Sequence, residues 1–519
     1  LRWERVWYST SRYRGPLGHG WHHGYDAGLL LVGDQAVAVR TADGREQAFL
    51  PLKVGEEHHD RKEKNTLVRD AQGYALRMPD GLIHRFGEVI PGEAQKLVRI
   101  EDGAGNQLRF SYDRRGRLSE IVDSCGRELT VTTDGEGRIV QIAGPHPMDP
   151  LRRQTLVDYA YDGHGNLAEA RDALGQPIQF QYRKHLLVKE TNRNGLSFHF
   201  EYDGETERAR CIRTWGDGGI YDHQLRYEQG FTVVTNSLGH ATTYFHFGGL
   251  VHKTVDPLGG VTLTERNGMN DLVRETDALG RTTEYKHDDR GNVARVRSPG
   301  GATLRMKYDA RDRLTAAEDA LGGAWRWRYD QQGRLLERQD PLGRRTLFEY
   351  SGKHLHAVVD PAEHRTWLSY GPDGLLAGVR TPDGAETRWE YDRLGRCTAA
   401  TDPKGNVQRR EHDPLGRVVR IHEPDGNTRD LSYDPEGNII HARDRQHDVH
   451  FRYTGMGRMT ARTEAGTTVE FLHDAEEQLV AVKNEHGFAY RFTLGPTGQV
   501  DEELGFDDTR RRYHRDLAG

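Results

Sequence analysis

The sequence predicts an all-β protein: a long series of stacked β-hairpins whose twist coils them into a spiral. Three observations carry this. In Trp325-Arg326-Trp327-Arg328-Tyr329 aromatic and charged residues alternate, the two-residue period of a strand with one apolar and one wet face. Paired Asp and Gly residues three apart, as in Asp330-Gln331-Gln332-Gly333 and Asp340-Pro341-Leu342-Gly343, are turn signals. Asp suits the first position of a type I turn, Pro the second, and Gly the site of positive φ that closes a short hairpin loop. No stretch of a dozen residues shows a helical period.

Residues 1 to 95 differ from the rest. They open with Trp3, Trp7, Tyr8 and Tyr13, then pass through Arg14-Gly15-Pro16-Leu17-Gly18-His19-Gly20-Trp21-His22-His23-Gly24-Tyr25-Asp26. Short strands are expected over Gly28 to Val32 and Ala36 to Thr41, with a turn at Asp43-Gly44. The charged run Gly55 to Lys64 reads as a solvated loop.

From residue 96 to 519 the chain is a repeat of about 21 residues, with two strands and two turns per period. One turn series begins at Asp256, Asp277, Asp319, Asp340 and Asp402, with Ser298-Pro299-Gly300-Gly301, Thr381-Pro382-Asp383-Gly384 and Glu423-Pro424-Asp425-Gly426 in the same rhythm. The other begins at Tyr112-Asp113, Tyr161-Asp162, Tyr308-Asp309, Tyr329-Asp330, Tyr391-Asp392, His412-Asp413 and Tyr433-Asp434. The pattern degrades between residues 183 and 250 and diverges again after 444. A single hairpin is marginal in water, so neighbours are expected to pair edge to edge, each hiding the preceding edge. Twist then coils the resulting sheet. Propeller blades recur at about 40–50 residues, which disfavours a propeller enzyme.

Composition narrows the function classes. Of 519 residues, 35% are hydrophobic and 29% charged, a low apolar share for a solid globule of this length and suited to a thin-walled or elongated repeat object. The 73 basic and 79 acidic residues are interspersed and leave a net charge of −6, which argues against nucleic-acid binding. No apolar run of about 18 residues marks a membrane helix. Three scattered cysteines, Cys125, Cys211 and Cys397, form no disulfide framework. The chain opens on Leu-Arg-Trp-Glu-Arg without an initiator Met or signal peptide and stops inside a repeat turn, so it reads as an excerpt with targeting signals expected outside it.

Candidate chemistry dissolves into structure on this reading. Asp256, Asp340 and Asp402 suggest acid–base carboxylates, but their recurrence places them at equivalent turns. His19, His22 and His23 with Asp26 offer metal-ligand atoms, yet their spacing fits no ligand motif and hydrogen-bonded loop histidines explain them. His58 and His59 carry less signal still. Gly15 to Gly20 lacks the GK[ST] ending of a phosphate loop. Cys397 stands at a strand start where other repeats carry Leu or Val, a packing substitution. No catalytic, cofactor-binding or metal residue is assigned, and no cofactor is expected. The aromatic stripe reads as the dry side of a sheet, with sugar stacking as the competing reading.

The Tyr-Asp-x-x-Gly-Arg-Leu units, as in Tyr112 to Leu118 and Tyr329 to Leu335, resemble the YD repeats of bacterial Rhs proteins, of insecticidal toxin-complex C subunits and of animal teneurins. Arg12 to Trp21 resembles the start of the Rhs core in type VI secretion effectors. The resemblance implies a hollow YD-repeat shell or cocoon, and a polymorphic-toxin function in which the shell encloses a C-terminal toxin until delivery in bacterial competition. It implies that cargo as partner, with type VI spike or adaptor proteins, and residence in the bacterial cytoplasm before secretion. It implies no enzyme in this chain, because the family's self-cleaving closing motif, built on paired Asp residues, is not recognisable before Gly519. A cell-surface adhesion or carbohydrate-binding YD-repeat protein is the alternative.

Overall fold

The computed structural model describes residues 2–33, 35–88 and 93–519. It is built almost wholly of short strands joined by tight turns. Among the described residues the one helical element is a single 3-10 turn, Asp217–Gly219. The strands pair antiparallel with their chain neighbours, hairpin after hairpin. Asn65–Asp70 pairs with Gly73–Arg77, that strand with Ile83–Phe86, and so onward through Ala324–Tyr329, Leu335–Gln339 and Arg345–Ser351. The all-β hairpin stack expected from the sequence is the observed fold.

The chain divides into two compact units, the first comprising Leu1–Tyr159, Gly268–Asp271 and Glu284–Val407, the second Ala160–Asn267, Leu272–Thr283 and Gln408–Gly519. In the first, Arg5–Trp7 pairs with Trp21–His23 and Arg14–Gly15 with Gly18–His19. Gly28–Val32 pairs with Ala36–Arg40 on one side and with the start of Ala94–Glu101 on the other. The second half of Ala94–Glu101 joins the hairpin series through Ile83–Phe86 and Gln107–Tyr112. This one strand, lying across the expected 95/96 boundary, ties the opening segment to the repeats.

Hairpin turns hundreds of residues apart meet within each unit. In the first, Arg61 pairs with Asp271 at 2.7 Å and the Arg127 guanidinium donates to the Leu394 carbonyl at 3.0 Å, across 210 and 267 residues. In the second, Asn192 donates to the Gly455 carbonyl at 2.8 Å and the Tyr221 N–H to the Ala475 carbonyl at 2.8 Å. Each unit therefore holds two passes of the hairpin series, fastened turn to turn.

Several expectations need correction. The run 55–64 is not a loop throughout: Glu57–Asp60 is a strand paired with Asn65–Asp70. Its polar side chains are employed, His59 with Thr66 and Arg290, Arg61 with Asp271. His22 and His23 are not loop residues but buried members of the strand Trp21–His23. The degraded stretch 183–250 and the tail after 444 keep the same hairpins, because backbone pairing tolerates side chains that the motif does not match. The aromatic stripe is not dry either. Trp325, Trp327 and Tyr329 are half-buried, alternating with exposed Arg326 and Arg328.

Candidate functional site

The repeat motif is the recurring structural unit, and its residues make contacts across repeats. Asp309 opens a turn in which its carboxylate accepts the N–H groups of Arg311 and Arg313 at 2.8 and 3.1 Å and pairs with the Arg313 guanidinium at 2.7 Å. That guanidinium lies 4.7 Å over the ring of Tyr329, the Tyr of the next repeat, a cation–π contact. The Tyr329 hydroxyl donates back to the Leu314 carbonyl at 3.1 Å. Asp330, Arg334 and Tyr350 repeat the first two links, with Arg334 4.5 Å over Tyr350. In the second unit Asp413, Arg417 and Tyr433 do the same, and Tyr433 donates to the Val418 carbonyl at 2.7 Å. Thus Asp fixes Arg, Arg carries the next Tyr, and Tyr returns to the preceding strand.

The turns have the predicted chemistry. Around Asp340 the Gly343 N–H donates to the Asp340 carbonyl at 2.9 Å and the Asp340 N–H to the Arg344 carbonyl at 3.0 Å. Gly343 adopts φ 79° and Gly333 φ 100°, where a Cβ is strained. Beyond each Tyr-Asp turn the register slips by one residue, as between Arg328 and Tyr329 opposite Glu337 and Leu335. Such a bulge raises local twist.

The candidate acid–base carboxylates are engaged by their own turns. Asp256 accepts the Leu258 and Gly260 N–H groups, each at 2.8 Å. Asp402 accepts the Asn406 side chain and the N–H groups of Lys404 and Asn406. These bonds hold its carboxyl below the ordinary range, the Asn406 side chain first. A carboxylate stabilised as the anion by its own turn is a poor proton acceptor.

The opening histidines do not converge. His22 stacks on Tyr13 at 4.9 Å and faces the Ser11 hydroxyl at 3.2 Å, whereas His23 stacks on Trp3 at 4.6 Å and takes the Tyr25 N–H at 3.2 Å. Neighbours on one strand, they point to opposite faces. Asp26 is claimed by the Tyr13 hydroxyl at 3.0 Å and by both terminal nitrogens of Arg40 at 3.1 and 3.2 Å. Burial pushes His23 down to about 4, against the pull of Asp26. Gly15 pairs with Gly18 in a hairpin two residues deep, and Cys397 begins the strand Cys397–Thr401. Cys125, Cys211 and Cys397 are free thiols. A cavity of about 750 Å³ in the first unit is lined by Cys125, Arg127, Arg153, Tyr391, Asp392 and Arg393 among others. No helix of the described residues is long and apolar enough to cross a membrane.

The opening segment covers part of the repeat face. The Tyr25 ring lies 5.1 Å from Phe110, Trp3 donates to the Tyr159 hydroxyl at 2.9 Å, and the Ile139 N–H donates to the Pro16 carbonyl at 2.7 Å. Phe110 precedes Tyr112 by two residues, as Trp327 precedes Tyr329. Phe110 is 5% exposed, whereas Trp327 is half-buried. Sequence reasoning missed both the Arg–Tyr–carbonyl wiring and this cover. The 21-residue spacing of Arg and Tyr held the signal for the first; nothing in the sequence signalled the second.

The chain is similar to known proteins. The RHS Repeat family matches residues 266–303, 308–345, 370–407 and 412–449, and the Teneurin YD-shell family matches 96–256. A domain of unknown function, DUF6531, matches 1–49. Double-stranded DNA deaminase toxin A of Burkholderia cenocepacia is 28% identical over 234 residues, 44% of this chain and 16% of the relative. Probable deoxyribonuclease RhsB of Dickeya dadantii is 28% identical over 281 residues, 53% of this chain and 19% of the relative. Toxin protein Tse5 of Pseudomonas aeruginosa is also 28% identical, over 46% of this chain and 21% of its own length. The chain thus spans at most about a fifth of the curated relatives it matches. The crystal structure of TcdB2-TccC3 without its hypervariable C-terminal region shares the fold, with TM-score 0.62 and 13% identity over 79% of this chain and 31% of that one.

Proposed function

Because the chain belongs to the Rhs/YD-repeat proteins, we propose that it is part of an encapsulating shell, in which residues 1–95 lead into a repeat wall spanning 96–519. Its cargo is a toxin segment further along the same polypeptide. The observation that carries this reading is the contrast between Phe110 and Trp327. The face that the opening segment seals at Phe110 continues through the repeats as Trp325, Trp327, Phe348, Tyr350 and Trp389, all only half-buried. A wall of unbroken backbone pairing with an apolar, unsealed face suits holding another polypeptide. The deaminase and deoxyribonuclease activities in the relatives' names then belong to parts of those proteins that this chain does not match, and this chain acts as container rather than enzyme. Type VI delivery, with spike or adaptor partners and residence in the bacterial cytoplasm before export, is part of the same proposal, and the likeness to toxin protein Tse5 supports it. The adhesive reading has less support, since the repeat tyrosines spend their hydroxyls on backbone carbonyls.

Limited proteolysis of the natural polypeptide tests the proposal. The segment beyond the repeats is expected to resist protease while the wall is folded and to be cut once the wall is denatured. Digestion at the same rate as the isolated segment would refute containment.

A further inference from the structure

We propose that His441, Asp448 and His450 form a surface site for one divalent transition-metal ion of the zinc class. The strands Ile439–Arg443 and Asp448–Tyr453 pair so that His441 faces His450 and Asp448 faces Arg443. The two imidazole rings stack 4.1 Å apart and 4° from parallel. The His441 Nε2 lies 2.7 Å and the His450 Nε2 3.3 Å from the same Asp448 oxygen, Oδ1, and one donor atom from each residue lies within 4.8 Å of the others. A tetrahedral ion with bonds of about 2.0–2.1 Å needs donors roughly 3.3 Å apart, so binding keeps the strand register and tilts the two rings out of their parallel stack until both Nε2 lone pairs meet at the ion. Arg443 lies 3.8 Å from the other Asp448 oxygen, which leaves Oδ1 for the ion. The site is open to solvent, and water supplies the fourth ligand. His447 is not a ligand: it is held by Glu464 at 2.7 Å.

Position strengthens the assignment. The equivalent cross-strand pairs in other repeats are Ala316 with Arg326, Glu337 with Leu347, Gly378 with Arg388, and Arg420 with Asp430. None sets two nitrogen ligands together, so this trio departs from the repeat, as structural turn residues do not. Its hairpin also lacks the usual Gly turn, since the Asp444 N–H donates to the His447 carbonyl at 2.8 Å over three residues. An ion there would pin two strands whose turn is atypical.

Calorimetric titration of the intact protein with zinc, and visible absorption on titration with cobalt(II), test the site. The wild type is expected to bind one equivalent more tightly than its scattered surface histidines do, with the absorption of a four-coordinate cobalt centre. His441→Asn and His450→Asn are each expected to weaken that equivalent at least tenfold. His422→Asn, which removes a comparable exposed His–carboxylate pair with Glu411, is expected to leave it unchanged. Circular dichroism checks the fold of each variant. If a variant misfolds, anomalous scattering at the zinc edge from wild-type crystals grown with zinc decides, with a peak expected among the three residues. No saturable equivalent, an equivalent surviving the double His441→Asn/His450→Asn change, or no peak at the trio would overturn the assignment.

Discussion

The stretch from Leu17 to Tyr202 and the repeats that follow it are made of the same hairpin, yet they bury side chains differently. Leu17, Leu67, Leu97, Ile121, Ile139 and Leu167 are sealed from solvent. Beyond Tyr202 the buried apolar residues among those described are only Ala357, Val359, Ala399, Val449, Ala461 and Ala481, all small or β-branched. Ile121 is fully buried where its counterpart three residues after the motif Leu, Arg338, is exposed. The backbone ladder and the Asp–Arg–Tyr wiring are shared, so they do not decide dryness. A second layer does so at Phe110, where the opening segment packs Tyr25 5.1 Å from the ring. The repeats are held by pairing and wiring, and their aromatic face is half-buried.

The largest expected effect follows from that layer. Phe110→Ala removes a ring packed under Tyr25 and is expected to cost about 3–5 kcal/mol, whereas Trp327→Ala, half-solvated already, is expected to cost less than half as much. Urea unfolding measures both; equal losses would break the comparison. The next effect is acid softening of the early region. His23, pushed down to about 4 by burial, stays neutral in the fold while the unfolded chain takes up its proton near 6.5. Its stabilising contribution is therefore whole above about pH 6.5 and fades as pH falls towards 4, by on the order of 3 kcal/mol. Hydrogen exchange is expected to show the strand Trp21–His23 loosening in that window while Ala324–Tyr329 does not.

Smaller effects probe what the two regions share. Tyr112→Phe and Tyr329→Phe each delete a hydroxyl bond to a carbonyl, at 2.7 and 3.1 Å, and each is expected to cost about 1 kcal/mol by thermal or urea unfolding. Similar losses would show that the wiring is independent of the second layer. Gly333→Ala is expected to cost roughly 1 kcal/mol through its positive φ. Glu363→Gly, at φ 65° in an equivalent turn, is expected to restore a comparable fraction.

The all-β class, the 21-residue rhythm and the turn chemistry were legible in the sequence, because φ preferences and period-two alternation are local properties. Asp256, Asp340 and Asp402 could be read as corners for the same reason. The strand at Glu57–Asp60 was hidden, since its partners for Arg61 and His59 lie more than two hundred residues away and a charged run looks solvated by itself. The dryness of the stripe was misjudged for a related reason: alternation tells which face is apolar, not whether anything covers it. The pair His441 and His450 was invisible because cross-strand register depends on a turn one residue shorter than the rule.

The most direct test of containment is hydroxyl-radical footprinting of the tryptophans, with and without the proposed cargo segment. Trp325, Trp327 and Trp389 lie on the motif-Tyr face and Trp367 on the opposite one. Containment predicts that the first three become protected when the segment is present while Trp367 keeps its reactivity. Equal reactivity of all four in both forms would contradict it.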